Sequence, residues 1–300
     1  MRRGRMGVTG RACLAIVFIL LLLTSLWLQG SLEFHWNYCL KVFYQKEKPF
    51  VLLNSTGSSG EDAVVRYCPG QTFQVAKLYS ELQAAAAQDE DVLLQPYLSS
   101  WDELIKFMEA LGPMVGLISQ EIESKTSIIR QLALHESEKE EIARRGEEGE
   151  SLLLVPEGGA YHSVHTMINW ELSHGLVDFH TQTDSGCRTL LRLHRALLWL
   201  ELFLQRLAET PAPPARMKRP SDLCKEAYQV TLAHHHTWLV QRGAELAFLA
   251  MPERGFFYQL VCVQNQQEVS LVLNTVVQAI REVYNRTQRA LEEHSMLDLP

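Results

Sequence analysis

The stretch Ser185-Gly186-Cys187-Arg188-Thr189-Leu190-Leu191-Arg192-Leu193-His194-Arg195-Ala196-Leu197-Leu198-Trp199-Leu200 decides the fold class. Ser185 is an N-cap residue type, and no helix breaker follows Gly186, so the stretch reads as a helix. Its residues are apolar almost all the way round, which is the pattern of a helix buried in a core. It nevertheless carries three arginines. Arg188 and Arg192 are four residues apart and share a face, and Arg195 lies one turn further on. A guanidinium does not lose its charge, and burying it without an anion costs several kcal/mol. Either protein carboxylates neutralise these arginines or the helix faces an anionic ligand.

Outward from this helix the chain continues helical. Phe73 to Leu82 shows a helical period that ends in an alanine run. Leu93 to Tyr97 reads as a connector, and Ser100-Trp101-Asp102-Glu103 as a capping box opening a helix through Leu111. Gly112-Pro113 interrupts it, and a further helix spans Met114 to Ala133. His135 to Glu150, dense in Glu, Lys and Arg, reads as a solvated helix extension or a mobile loop. His162 to Asp178 is helical, and the arginine helix extends to Ala208. Ser221 is placed as the cap of a helix running towards His236. Leu239 to Ala250, Glu253 to Val263 and a long segment with Val269, Leu273, Val276, Ile280 and Tyr284 on one side complete the set. There is no βαβ alternation and no repeat, so the fold class is all-α.

The N-terminus is organised differently. Arg2, Arg3, Arg5 and Arg11 precede an apolar run from Ala12 to Leu28, at the lower edge of what spans a bilayer. Cleavage after Gly30 would put Leu28 where a small residue is wanted, so residues 1–30 read as a signal anchor in preference to a cleaved signal peptide. Arginines ahead of the run hold the N-terminus in the cytosol and put the remainder on the lumenal or extracellular side. Residues 31–70 read as a stalk or linker and 71–300 as the globular domain, with an acidic insertion at 135–159. Asn54-Ser55-Thr56 is a glycosylation sequon in a Ser/Gly-rich loop. Cys39 and Cys68 flank that loop and are candidates to pair, the alternative being two free thiols.

The 300 residues carry a net charge of -7, so no global basic field draws the chain to nucleic acid. Six cysteines without a Cys-x-x-Cys spacing give no zinc site. His234-His235-His236 cannot all reach one ion from consecutive helical positions. A single Glu171-x-x-His174 is short of a di-iron site, and no activated nucleophile or P-loop is present. No cofactor or metal is expected. Glu121 and Lys125, four apart on one helix, read alone as a surface pair. Beside Arg188 and Arg192 they would form a mixed-charge pocket. Trp238 reads either as a core residue, which its spacing favours, or as an anchor at a membrane interface.

Val92 to Tyr97, Ile118 to Lys125, Glu171-Leu172-Ser173 with Leu176-Val177-Asp178, Ser185 to Phe203, Ala233 to Trp238 and His294 to Pro300 together resemble the glycolipid transfer protein family, in its ceramide-1-phosphate transfer branch. The resemblance implies a two-layer helical sandwich enclosing one lipid, and non-enzymatic transfer of a phosphosphingolipid, ceramide 1-phosphate first. A membrane-anchored sensor or scaffold that binds without net transfer is the alternative. It implies phosphate binding by Lys125, Arg188 and Arg192, and amide binding by His236 and by Glu121, which stands where the family has aspartate. It implies membrane docking by Trp238, a membrane surface as partner, a monomer, and a cytoplasmic location as the alternative to the secretory one. One basic residue of that branch is replaced within Phe179-His180-Thr181-Gln182, where His180 is the nearest substitute. Arg192 stands where the sugar-binding branch has tryptophan, which disfavours a sugar headgroup.

Overall fold

The computed structural model describes residues 64–87, 90–145, 158–210 and 216–300. The apolar run Ala12–Leu28, the Asn54 sequon and Cys39 lie outside them. Among the described residues there are nine α-helices and one isolated bridge, Leu93 to Ser163. The helices are α1 (Val75–Ala85), α2 (Leu94–Ala110), α3 (Pro113–Arg145), α4 (Val164–Ser173), α5 (Gly186–Ala208), α6 (Pro220–Thr231), α7 (Trp238–Leu249), α8 (Arg254–Leu260) and α9 (Gln266–Glu293). A 3-10 turn, Ala233–His235, joins α6 to α7. No described helix is long and apolar enough to cross a membrane.

Helices α1, α2 and α3 pack in succession as one layer, and α5 lies against α9 and α6 in the other. The layers meet where α3 packs on α5 and α1 on α9. Trp101, Tyr97, Phe203 and Phe248 are fully buried in the shared core. Phe107, Phe203 and Phe256 surround Phe257 with ring centroids 6.0–6.3 Å away.

The arginine helix α5 is the centre of the packing, and both of its ends are closed by distant side chains. At the N-terminus Ser185 accepts a hydrogen bond from the Arg188 N–H. The buried Glu171 carboxylate accepts from the Gly186 N–H at 2.5 Å, the Cys187 N–H at 2.9 Å and the Tyr161 hydroxyl at 2.7 Å. An anion at this end satisfies orphan donors and complements the helix dipole. A Cβ on Gly186 would lie 2.8 Å from Glu171 Oε1 and 2.6 Å from Met167 Sδ, so the cap requires glycine there. At the C-terminus Arg254 donates to the Leu207 carbonyl at 3.0 Å, and Gln266 donates to those of Leu207 and Ala208. Glu201, buried within α5, is paired with Arg281 of α9 at 2.8 Å.

Several boundaries differ from the sequence reading. Helix α2 opens at Leu94, because Pro96 falls in its first turn, where a missing N–H costs nothing. Ser100 is therefore interior and its hydroxyl donates to the Tyr97 carbonyl. Glu103 is buried, accepting from the Gln74 N–H and pairing with Lys106 and Lys77. Helix α3 continues to Arg145, so the charged segment from His135 begins as a helix extension. Helix α4 ends at Ser173, where Gly175 turns left-handed at φ +65°. Pro220 takes the first position of α6, with Arg219 and not Ser221 as its N-cap.

Cys68 is neither paired with Cys39 nor a free thiol. Cys68 forms a disulfide with Cys262, 194 residues away, with a Cα–Cα distance of 5.8 Å. Cys68 lies in the core, and Val64 and Val65 pack against it. Residues 64–70, read as the end of a stalk, thus belong to the globular domain. Their neighbours lie far off in sequence, so local composition could not reveal the packing.

Candidate functional site

Helix α5 buries most of its circumference. Arg188, Arg192, Arg195, Leu198 and Leu202 recur at helical spacing and form a half-buried stripe flanked by buried leucines. The chain's C-terminal segment lies along this stripe. Arg188 Nε donates to the main-chain oxygen of Pro300 at 2.5 Å, and Arg192 Nη2 donates to the same oxygen at 3.0 Å. Arg195 Nη2 donates to the Leu297 carbonyl at 2.6 Å. Met296 and Leu299 are buried and pin the segment in place.

Among the described residues no side-chain carboxylate forms an ion pair with any of the three arginines. Each guanidinium has five donors, and one of them is engaged by protein. Arg192 is held below the ordinary arginine range by burial and by the charges of Arg188 and Arg195, offset in part by Glu121. Arg195 is lowered by burial, with Asp298 offsetting it. Both remain cations at neutral pH, since even a lowered guanidinium titrates far above it.

Glu121 and Lys125 of α3 form the expected pair at 2.8 Å, with the Glu121 side chain 69 % exposed and that of Lys125 23 % exposed. Read alone this is a surface pair. Glu121 nevertheless lies within electrostatic reach of both Arg192 and His236. The turn after α6 therefore brings His236 to the cluster that α3 and α5 build. Tyr228 and the His236 Nδ1 share a hydrogen bond at 2.8 Å. Burial lowers the His236 pKa, which keeps the ring neutral at pH 7. In the tautomer where the Tyr228 hydroxyl donates to Nδ1, the proton resides on Nε2, which is then a hydrogen-bond donor. Gln241 donates to the carbonyls of Ala233 and His236 and clamps the turn.

The three consecutive histidines do different things. His236 turns to Tyr228, while the His234 and His235 rings lie tilted at 45° to each other with centroids 3.9 Å apart. His235 is largely exposed, yet its pKa is pushed down to about 4 by desolvation and by the charges of Arg195, the neighbouring histidines and Arg192. His180 is exposed, and its backbone N–H donates to Asp178 Oδ1 at 2.7 Å.

Trp238 is 69 % exposed at the first position of α7, with Leu239 at 73 % and Leu249 at 77 %. The core position that its spacing favoured is not the one it takes, because α7 packs through Ala247 and Phe248 instead. Arg242 lies 6.0 Å from the Trp238 ring centroid. The structure thus gathers Glu121, Lys125, Arg188, Arg192 and His236 in one region and puts Trp238 on the adjoining helix. Sequence reasoning missed Tyr228, Gln241 and the main-chain oxygens of Leu297 and Pro300. The resemblance had singled out the stretch His294 to Pro300, but not as a partner of the arginines.

An all-α sandwich whose central buried helix carries three half-buried arginines, none in an ion pair with a side-chain carboxylate among the described residues, defines the class, and the comparisons agree. The family profile for glycolipid transfer protein (GLTP) matches residues 92–263, and the chain belongs to that family. Within it, the chain is 37 % identical over 216 residues to ceramide-1-phosphate transfer protein of Homo sapiens, covering 71 % of this chain and 90 % of that one. The Xenopus laevis ceramide-1-phosphate transfer protein is 36 % identical over 215 residues, covering 71 % and 89 %. The crystal structure of the human protein in complex with 12:0 ceramide-1-phosphate superposes with a TM-score of 0.60 at 34 % identity, covering 74 % of this chain and 97 % of that one.

Proposed function

We propose that this chain binds a phosphosphingolipid, ceramide 1-phosphate first, and carries it between membranes without covalent chemistry. The observation that carries the reading is the arginine stripe. Three permanent cations stand on a helix buried in an apolar core, held by main-chain oxygens, with most of their N–H donors unengaged. A phosphate monoester accepts bidentate, charge-assisted hydrogen bonds from such groups, and a neutral ceramide does not. Lys125, Arg188 and Arg192 take the phosphate. His236 Nε2 donates to the amide carbonyl, and Glu121 accepts from the amide N–H or hydroxyl. The two apolar tails enter between the layers beside α5, where several hundred Å2 of hydrocarbon leave water at roughly 25 cal/mol per Å2. The resemblance to ceramide-1-phosphate transfer proteins supports the same lipid class.

Trp238, Leu239 and Leu249 supply an exposed apolar face on α7 that suits contact with a membrane surface. The run Ala12–Leu28 favours a second reading, a tethered carrier or sensor that reaches only adjacent membranes. Comparing the full-length chain with one starting at Gly57 in vesicle transfer separates the two readings. Equal net transfer by both supports the mobile carrier.

The site itself is tested by Arg192→Leu. Ceramide 1-phosphate transfer between vesicles is expected to be lost while the helical circular dichroism is retained. Retained transfer rejects the assigned site.

A further inference from the structure

The Cys68–Cys262 juxtaposition carries a consequence for where the domain works. We infer that the domain functions in its oxidised form, on a non-cytosolic membrane face, with this disulfide as a covalent staple between the segment ahead of α1 and the end of α8. The inference concerns compartment and is independent of which lipid is bound.

The fold brings the two sulfurs together by contacts that do not depend on the bond. The Cys68 N–H donates to Gln74 Oε1 at 2.8 Å, and Gln74 Nε2 donates back to the Cys68 carbonyl at 2.8 Å. The Gln74 N–H is in turn fixed by Glu103 of α2 at 3.0 Å. Gln71 reaches the Gln259 carbonyl of α8 at 3.2 Å, tying the same segment to the helix that precedes Cys262. Cys262 itself has φ +58°, an uncommon conformation for a residue other than glycine, and it follows directly on the turn that ends α8. The Cα–Cα distance of 5.8 Å lies within the bridging range.

The other two described cysteines behave as core residues. Cys187 and Cys224 are buried and unpaired, and burial pushes both thiols well above the ordinary range. A protonated, inaccessible thiol is a poor nucleophile, so an oxidising environment leaves them alone while it closes the 68–262 pair.

Closure removes two protons and two electrons from the thiols. An oxidised dithiol oxidoreductase accepts them by thiol–disulfide exchange, its own disulfide becoming two thiols. Such bonds persist in the secretory pathway and outside the cell and are reduced in the cytosol. Two independent sequence features agree. The arginine-led apolar run Ala12–Leu28 and the Asn54 sequon both stand ahead of Cys68, in the order that delivers the domain to that side.

The test uses the full-length chain in secretion-competent cells. Thiols are quenched with acid and alkylated before lysis, and the protein is digested without reduction for mass spectrometry. The expected result is one cross-linked peptide pair joining Cys68 to Cys262. Recovery of both as alkylated free thiols, or of a Cys39–Cys68 link, overturns the inference. In sealed microsomes the domain is expected to resist external protease, and digestion without detergent overturns the assigned face. The Cys68→Ser/Cys262→Ser variant should melt about 10 °C lower than the parent in the absence of reductant, and at the same temperature as the parent in its presence. An unchanged Tm without reductant removes the staple. None of these readouts depends on lipid transfer, so they stand or fall apart from Arg192→Leu.

Discussion

Arg192 and Pro300 are joined by a 3.0 Å hydrogen bond from guanidinium Nη2 to main-chain oxygen, and Arg188 reaches the same atom at 2.5 Å. Two like charges on successive turns of a buried helix are thereby held to one acceptor. Left alone they would separate towards water, each losing its orientation. The shared oxygen keeps the forks convergent, and Met296 and Leu299, both buried, keep the oxygen in place. Deleting Leu297–Pro300 is therefore expected to lower ceramide 1-phosphate transfer about tenfold, or about 1.4 kcal/mol, with helix content unchanged. Vesicle transfer and circular dichroism measure the two. Faster transfer in the shortened chain would show instead that the tail competes with phosphate.

Glu171 governs stability by way of the same helix. Its carboxylate accepts from two backbone N–H groups and the Tyr161 hydroxyl. In Glu171→Gln one acceptor becomes a donor facing other donors, and the charge opposite the helix dipole is lost. A destabilisation of about 3 kcal/mol is expected, read as a Tm fall of about 6–12 °C in a thermal melt. Tyr161→Phe removes a single hydrogen bond and should cost about 1 kcal/mol.

Acid should weaken the fold first by way of His194. The ring is buried, shares a hydrogen bond with Gln288 and stacks on Tyr284 with centroids 4.1 Å apart. Burial pushes its pKa down to about 4, below the unfolded value of about 6.5. Between these values the unfolded chain binds the extra proton, so stability is full above about pH 6.5 and falls as pH drops towards 4. The loss from this group is about 3 kcal/mol. Urea titrations at pH 7.5 and 5 should show the decline, and His194→Gln should flatten it. His236, lowered by burial as well, adds in the same direction. The depressed carboxylates Asp91 and Glu103 lose their contribution only at more acid pH.

Trp238 should matter to membranes and not to the fold. Its side chain is 69 % exposed, so Trp238→Ala is expected to change stability by less than about 0.5 kcal/mol. Sedimentation with anionic vesicles should show binding reduced severalfold, with transfer falling in proportion. An unaltered partition would move the docking face away from α7.

The sequence alone determined the all-α class, the extent of α5 and the conflict within it. Helical periodicity is local, and Ser185 followed by an uninterrupted apolar run is enough to mark a buried helix. Three arginines on such a run demand an anion whatever surrounds them, because a guanidinium does not discharge. The i,i+4 spacing of Glu121 and Lys125 marked them as a candidate pair beside the arginines, and the resemblance then gave them roles and added His236. Tertiary structure alone decided which protein groups hold these arginines. The arginines are held by main-chain oxygens of a tail more than a hundred residues away, and main-chain acceptors leave no mark in residue identity. Tyr228 behind His236, Trp238 at the surface, Glu171 as the cap of α5 and the Cys68–Cys262 pair are of the same kind. Each depends on which helices lie side by side, and packing between segments far apart has no period along the chain to betray it.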